Sequence, residues 1–282
     1  MRRNLFRLRL RLDTKLKVAI LLHAHLRSFR KTHSSFIENF QNIIEERISK
    51  PDIFIHTWDT EEFLTKTWHE GVKEACPTNP EDIEDLYKPK SYLIERQVIK
   101  NPDLCAFGRP IEALKAPWES FHKSWKLMEE EERSSGFKYD IVVVSRPDVQ
   151  YFNNIFIDEV LETDYLWQTQ VFTKVAASDV ILFGGRAQIN LLNDFYENFD
   201  KLHSHEIISR YSNNEFLFND FIKQMANVRK SQYCMPRDWR ILRSNWEPDH
   251  VFGHRKWDRD LAIQDINSME RFKFFRRQND RS

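Results

Sequence analysis

Glycine is scarce in this chain, with six among 282 residues. That excludes collagen-like and Gly-rich disordered classes. Cysteine is scarcer: Cys76, Cys105 and Cys234 are far apart and form no C-x-x-C pair. They are expected as free thiols of a reducing compartment, which points to the cytoplasm. Long apolar runs are missing too. The longest near the start, Val18 to Leu22, falls far short of the ~20 residues a bilayer-spanning helix needs. Neither sign of charge is in excess, since 43 Lys and Arg face 43 Asp and Glu. A nucleic-acid partner is therefore not expected. No Walker loop and no G-x-G-x-x-G occurs, so kinase-like, ATPase and dinucleotide readings lack their phosphate loop.

Core material is plentiful instead. Aromatics reach 13%, with 22 Phe and 8 Trp, and 41% of residues are hydrophobic. This suffices for one large α/β domain or two small ones. No repeat or flexible linker interrupts the chain, so one domain is expected over residues 17–282. Ahead of it lies a basic segment, 1–16, MRRNLFRLRLRLDTKL. Its arginines break up any apolar stretch, so a secretory signal is not expected. It reads as a solvated or edge segment. A second reading is peripheral attachment to the anionic inner face of a membrane, worth ~1 kcal/mol per basic residue.

The apolar pattern alternates between strand and helix. Val18–Leu22 is a compact strand, and Phe29, Phe36, Phe40, Ile44 and Ile48 then recur at helical spacing. Ile53–Ile55 is a second strand, ending on His56, Thr57 and Asp59. A β-α-β unit favours parallel strands. CPTNPEDIEDLYKPKSYLIE, with three prolines, reads as loop, short helix and loop. Trp118, Phe121, Trp125 and Met128 share a helix face, and Gly136 stops that helix. Ile141–Val144 reads as a strand buried on both faces, and DYLWQTQ and DVILFGG as two more short strands. Ile189, Leu192, Phe195, Tyr196 and Phe199 mark another helix. A last one, capped by Ser212 or Asn213, buries Leu217, Phe218, Phe221 and Ile222. The tail beyond shows little periodicity. The expected fold is α/β, a single Rossmann-related domain with a mainly parallel central sheet flanked by helices.

The strand at 141–144 runs straight into Ser145, Arg146, Pro147 and Asp148. Proline has no N–H to donate and ends the pairing. Arg146 and Asp148 are thus expected just past the carboxyl end, where open α/β sheets bind ligands. The strands at 18–22 and 53–55 also run into polar residues. If all three are parallel, Arg27, Asp59, Arg146 and Asp148 gather at one edge. Singly, each is an ordinary turn residue or surface ion pair. Together they suit a nucleotide diphosphate with a metal, because guanidinium groups match phosphate oxygens and a carboxylate matches Mg²⁺ or Mn²⁺. His33, His69, His122, His203 and His205 show no paired metal spacing and read mostly as surface residues.

KVAILLHAHLRSF, PDIFIHTWD, YKPKSYLIE, YDIVVVSRPDV and SDVILFGG resemble, in order, segments of a family of bacterial and large-virus glycosyltransferase-like proteins associated with surface polysaccharide synthesis. The resemblance covers roughly residues 17 to 225, and FIHTWD is its most distinctive piece. It implies a GT-A-like fold that binds a sugar nucleotide at its strand ends. On that match Arg146 and Asp148 occupy the place of the metal-binding DxD motif, with Arg146 at its first acidic position. The family has Ser-Gly after its first strand, where this chain has His23, Ala24 and His25. A second stretch, HVFGHRKWD, resembles the HxxGxxKPW of glycogenin-like glycosyltransferases without its proline. It implies a metal ligand in His250 and a diphosphate contact in Lys256; a structural histidine and a surface lysine are the plain reading.

The function expected is a glycosyltransferase that moves a sugar from a nucleotide-sugar donor to a glycan or lipid-linked glycan in surface polysaccharide synthesis. Asp148 and His250 would hold the divalent cation, Mn²⁺ or Mg²⁺. Arg27, Arg146 and Lys256 would face the diphosphate. Asp179 is the first candidate for the base that activates the acceptor hydroxyl, Asp59 the second, and Glu215 the third or an acceptor contact. The rival expectation is a catalytically inactive nucleotide-sugar or carbohydrate-binding protein on the same fold.

Overall fold

Seven strands build the central sheet: β1 (Val18–Leu22), β2 (Asp52–Trp58), β3 (Ser91–Glu95), β4 (Ile141–Ser145), β5 (Leu166–Val171), β6 (Ala176–Gly185) and β7 (Val228–Met235). The computed structural model describes residues 15–62, 76–98, 103–171, 176–211, 214–235 and 237–242. Across the sheet the order is β3-β2-β1-β4-β6-β5-β7. β6 alone runs against the others. The mainly parallel α/β sheet expected from the sequence is therefore present, with the strands at 18–22, 53–55 and 141–144 adjacent.

All five residues of β1 are buried, as a central parallel strand covered on both faces requires. Their alternation splits them between two cores. Val18, Ile20 and Leu22 face Phe29, Phe36, Phe40 and Ile44 from α1 (Phe29–Phe36), the π-helical turn Ile37–Gln41 and α2 (Asn42–Arg47), with Ile83 and Tyr87 of α3 (Pro80–Tyr87). Ala19 and Leu21 face Trp118, Phe121, Trp125 and Met128 of α4 (Ile111–Ser135). The same face receives Ile189, Leu192 and Phe195 of α5 (Arg186–Glu197) and Leu217, Phe218 and Ile222 of α6 (Asn214–Met225).

The chain runs outward from β1 to β2 and β3, then returns to place β4 on the other side of β1. The strand order thus reverses between β1 and β4. A crevice at such a switch point, outside the carboxyl ends, is the usual ligand site of open α/β sheets. The segments leaving it are 23–28 and 146–148.

Three expectations need correction, and one strand was not foreseen. SYLIE is not a loop but parallel strand β3, paired from Phe54↔Ser91 to Trp58↔Glu95. Edge strand β7, at 228–235, was not expected: its pattern mixes three exposed with three buried positions, so it lacks the apolar signature of the inner strands. The aperiodic tail contributes Trp239–Ile241, which pairs antiparallel with Val149–Tyr151 and buries Trp239. His203 is no surface residue: it is 3% exposed and stacks on Phe199 at 3.7 Å.

Two of the six glycines close β6. A Cβ on Gly184 or Gly185 would collide with the carbonyl oxygens of Tyr165 and Thr163. None of the three cysteines, all among the described residues, forms a disulfide. Among the described residues no helix is long and apolar enough to cross a membrane. The basic segment, apart from its last two residues, and Ser212 and Asn213 lie outside the described residues.

Candidate functional site

The turn after β1 is strained and pinned. Ala24 has φ 78° and Arg27 φ 50°, both left-handed, a region that costs an L-residue roughly 1–2 kcal/mol. Such strain persists only where the surroundings impose it. Ala24 N donates to Ser120 Oγ at 2.7 Å, and His23 Nδ1 lies 3.1 Å from Pro117 O, both on α4. His25 Nδ1 lies 2.8 Å from Thr60 O, and Arg27 N donates to Glu61 O at 2.8 Å. Burial lowers the pKa of His23 to about 3, helped by the nearby Arg146 charge, and that of His25 to about 4. Both rings are therefore neutral, so each Nδ1–H donates to its carbonyl.

Ser120, His56 and Glu95 form the second anchor. His56 Nδ1 is 2.7 Å from Ser120 Oγ, and Nε2 is 3.1 Å from Glu95 Oε2. Burial lowers the His56 pKa to about 4. The neutral ring donates Nε2–H to Glu95 and accepts from Ser120 through Nδ1. The spacing imitates a Ser-His-acid triad, but Ser120 is fully buried and its Oγ accepts from Ala24 N. It holds the β1 turn and is no nucleophile.

Asp148 is 0% exposed and gripped by two guanidinium groups. Arg146 donates from Nε to Oδ1 at 2.9 Å and from Nη2 to Oδ2 at 2.6 Å. Arg27 donates from Nη1 to Oδ2 at 2.8 Å, and from Nε to Glu62 Oε1 at 2.7 Å. Burial disfavours the Arg27 charge, but Asp148 and Glu62 more than offset it and raise the pKa.

This corrects two sequence expectations. Asp148 does not fit the role of cation ligand, because both its oxygens are committed to arginines whose positive charges oppose a metal there. Arg27 does not fit the role of diphosphate contact, because it is 6% exposed between two carboxylates. Among the described residues no group of three metal-ligating side chains gathers elsewhere. Arg146 is different: it is partly exposed, and its Nη1 has no hydrogen bond among the described residues.

Asp179 feels the Arg146 charge at this edge, and Glu215 feels that of Asp179. β4 pairs antiparallel with β6, with Val144 opposite Leu182. Extending that register sets Asp179 across from the Arg146-Pro147 exit. Glu215 lies in the first turn of α6. Burial raises the Asp179 carboxyl, partly countered by Arg146. Burial and then the Asp179 charge raise Glu215 to about 7. Two neighbouring carboxyls with raised values titrate as a pair. Asp59 is exposed just past the end of β2, and among the described residues no hydrogen bond or ion pair ties it to Arg146 or this pair. Its backbone is instead bonded to Glu95 O and Thr78 N at 2.8 Å each. His250 and Lys256 lie outside the described residues.

Sequence reading missed Ser120, Glu62 and the anchoring role of His56. Nothing in the sequence marks Ser120, which is one serine on a helix. His56 and Glu95, however, both stand within quoted motif segments.

No protein-family model matches the chain, and no curated protein does. Among solved structures, it is similar to a glycosyltransferase involved in the glycosylation of the major capsid of PBCV-1. Identity is 9%, the TM-score is 0.36, and the match covers 77% of this chain and 83% of that one. It is also similar to a nucleoside-diphosphate-sugar pyrophosphorylase from Vibrio cholerae RC9, at 11% identity and a TM-score of 0.39. That match covers 79% of this chain and 94% of the other. Likenesses this shallow carry no argument about activity.

Proposed function

We propose that the chain is a glycosyltransferase that takes a nucleotide sugar at the β1/β4 switch point and transfers the sugar to a glycan or lipid-linked acceptor. One observation supports this reading: the Asp179 carboxyl feels the Arg146 charge at the carboxyl edge, with Glu215 coupled to Asp179. A guanidinium with spare donors suits a diphosphate, and a carboxylate beside it suits deprotonation of a hydroxyl.

In a single displacement, the acceptor oxygen attacks the anomeric carbon while the carbon–oxygen bond to the diphosphate breaks. The electron pair leaves with the diphosphate, whose growing charge faces Arg146. The acceptor proton passes to the ionised member of the carboxylate pair, with Asp179 as first candidate. Asp148 acts through Arg146, fixing its fork. No step is assigned to a cation at Asp148.

The test is release of nucleoside diphosphate from UDP-, GDP-, CDP- and dTDP-sugars. The wild type should hydrolyse at least one donor slowly without acceptor, and Asp179→Asn should lose most of that turnover. A wild type inert towards every donor removes the enzyme reading. Donor binding without turnover would instead support the non-catalytic rival.

A further inference from the structure

A cleft of about 540 Å³ lies beside the Val149–Tyr151 ribbon. It is lined by two exposed aromatic rings, Phe152 and Phe156, and by the amides of Asn39, Asn153, Asn154 and Gln232. We propose that this cleft binds a saccharide and holds the distal sugars of the acceptor; its place in the reaction rests on the reading above.

The chemistry selects the ligand class. Phe152 and Phe156 are 42% and 37% exposed, and both lie in one cleft rather than scattered singly, which marks a binding surface. Flat apolar rings match the C–H faces of pyranoses. Amides carry both donors and acceptors without charge, as sugar hydroxyls do. The side chains of Asn154 and Gln232 make no hydrogen bond among the described residues, and Asn153 spends only its Nδ2. A phosphate ligand fits poorly, because the charge of Arg237, the one cation lining the cleft among the described residues, is met by Asp238 at 2.7 Å.

The cleft is also built rather than incidental. Asp238 is 2% exposed and accepts from Asn153 Nδ2 at 3.0 Å and from Cys234 N at 2.8 Å. Tyr233 Oη donates to Asn153 O at 2.6 Å, and Phe156 packs on Tyr233 edge to face. Arg240 sits over the Phe152 ring at 5.0 Å. These contacts fix the lining groups before any ligand arrives, which lowers the ordering cost of binding. Phe152 lies four residues beyond Asp148, so at about 3.3 Å per residue at most roughly 13 Å of chain separates them. The cleft and the Arg146 exit thus lie on one continuous stretch of chain, within the length of a short oligosaccharide.

The test is an array of neutral and uronic-acid oligosaccharides, from disaccharides to hexasaccharides, probed with wild-type protein and with a Phe152→Ala/Phe156→Ala double variant. Neither ring belongs to the central core clusters, so the variant should stay folded, with circular dichroism and melting temperature checked on the same sample. We expect the wild type to retain oligosaccharides and the double variant to lose at least tenfold in affinity. No retained glycan, or equal retention by the variant, overturns the proposal. Donor hydrolysis by the wild type separates the two claims: hydrolysis without glycan retention removes the cleft and leaves the donor site standing.

Discussion

Arg146 holds Asp148 in a two-point fork, Nε to Oδ1 at 2.9 Å and Nη2 to Oδ2 at 2.6 Å. Arg27 completes the grip from the turn after β1. The carboxylate is thus the fixed centre from which one guanidinium turns inward and the other reaches the edge of the site.

Asp148→Asn should therefore be a folding mutation first. Removing one member of a buried ion pair costs about 3–5 kcal/mol, because the remaining charges stay buried. We expect a large drop in denaturation midpoint. Mn²⁺ should not shift the wild-type melting temperature, since the carboxylate is already committed. A variant as stable as wild type would show that Asp148 is only a turn residue. Denaturant melts with and without Mn²⁺ decide it.

The Asp179–Glu215 pair predicts a pH signature. Glu215 is raised from 4.5 to about 7 in the folded protein, first by burial and then by Asp179. Between those values the folded state holds more protons than the unfolded chain. The pair's contribution to stability therefore falls as pH rises through that window and levels off above it. Glu215→Gln removes part of this dependence. Its melting temperature relative to wild type should rise from about pH 5 to about pH 8. A difference that does not change with pH would mean that Glu215 has no raised value.

Ala24 tests the strain in the β1 turn. At φ 78° glycine is at ease and a β-branched residue is not. Ala24→Gly should change stability by less than about 1 kcal/mol in either direction, because lost strain is offset by unfolded-chain entropy. Ala24→Val should cost more than about 2 kcal/mol, from left-handed strain and the overfilling of a site only 4% exposed. Equal stability of the two variants would mean that the turn relaxes freely.

The sheet was legible because its inner strands are apolar on both faces, which leaves Val18–Leu22 and Ile141–Val144 no other place. The edge strands were not, since β7 mixes Arg229, Lys230 and Gln232 with few apolar residues. The site was legible in part. The exit from β4 marked Arg146, and the start of DVILFGG marked Asp179. What stayed hidden was pairing across the chain. The LRSF segment supplies Arg27 to the aspartate of SRPDV, and FIHTWD supplies His56 to the glutamate of SYLIE. Their spacing in sequence, 121 and 39 residues, gives no sign of contact. So residues that read as ligand-facing turned out to hold one another.

Titration calorimetry of sugar nucleotides into wild-type and Arg146→Ala protein tests the central claim most directly. The account predicts that at least one of the UDP-, GDP-, CDP- or dTDP-sugars binds the wild type. It predicts that Arg146→Ala, still folded by circular dichroism, weakens that binding at least tenfold, about 1.4 kcal/mol, through loss of a charge-assisted contact to the diphosphate. Binding of the same donor with unchanged affinity by the folded variant would contradict it, and would move the diphosphate away from the β1/β4 edge.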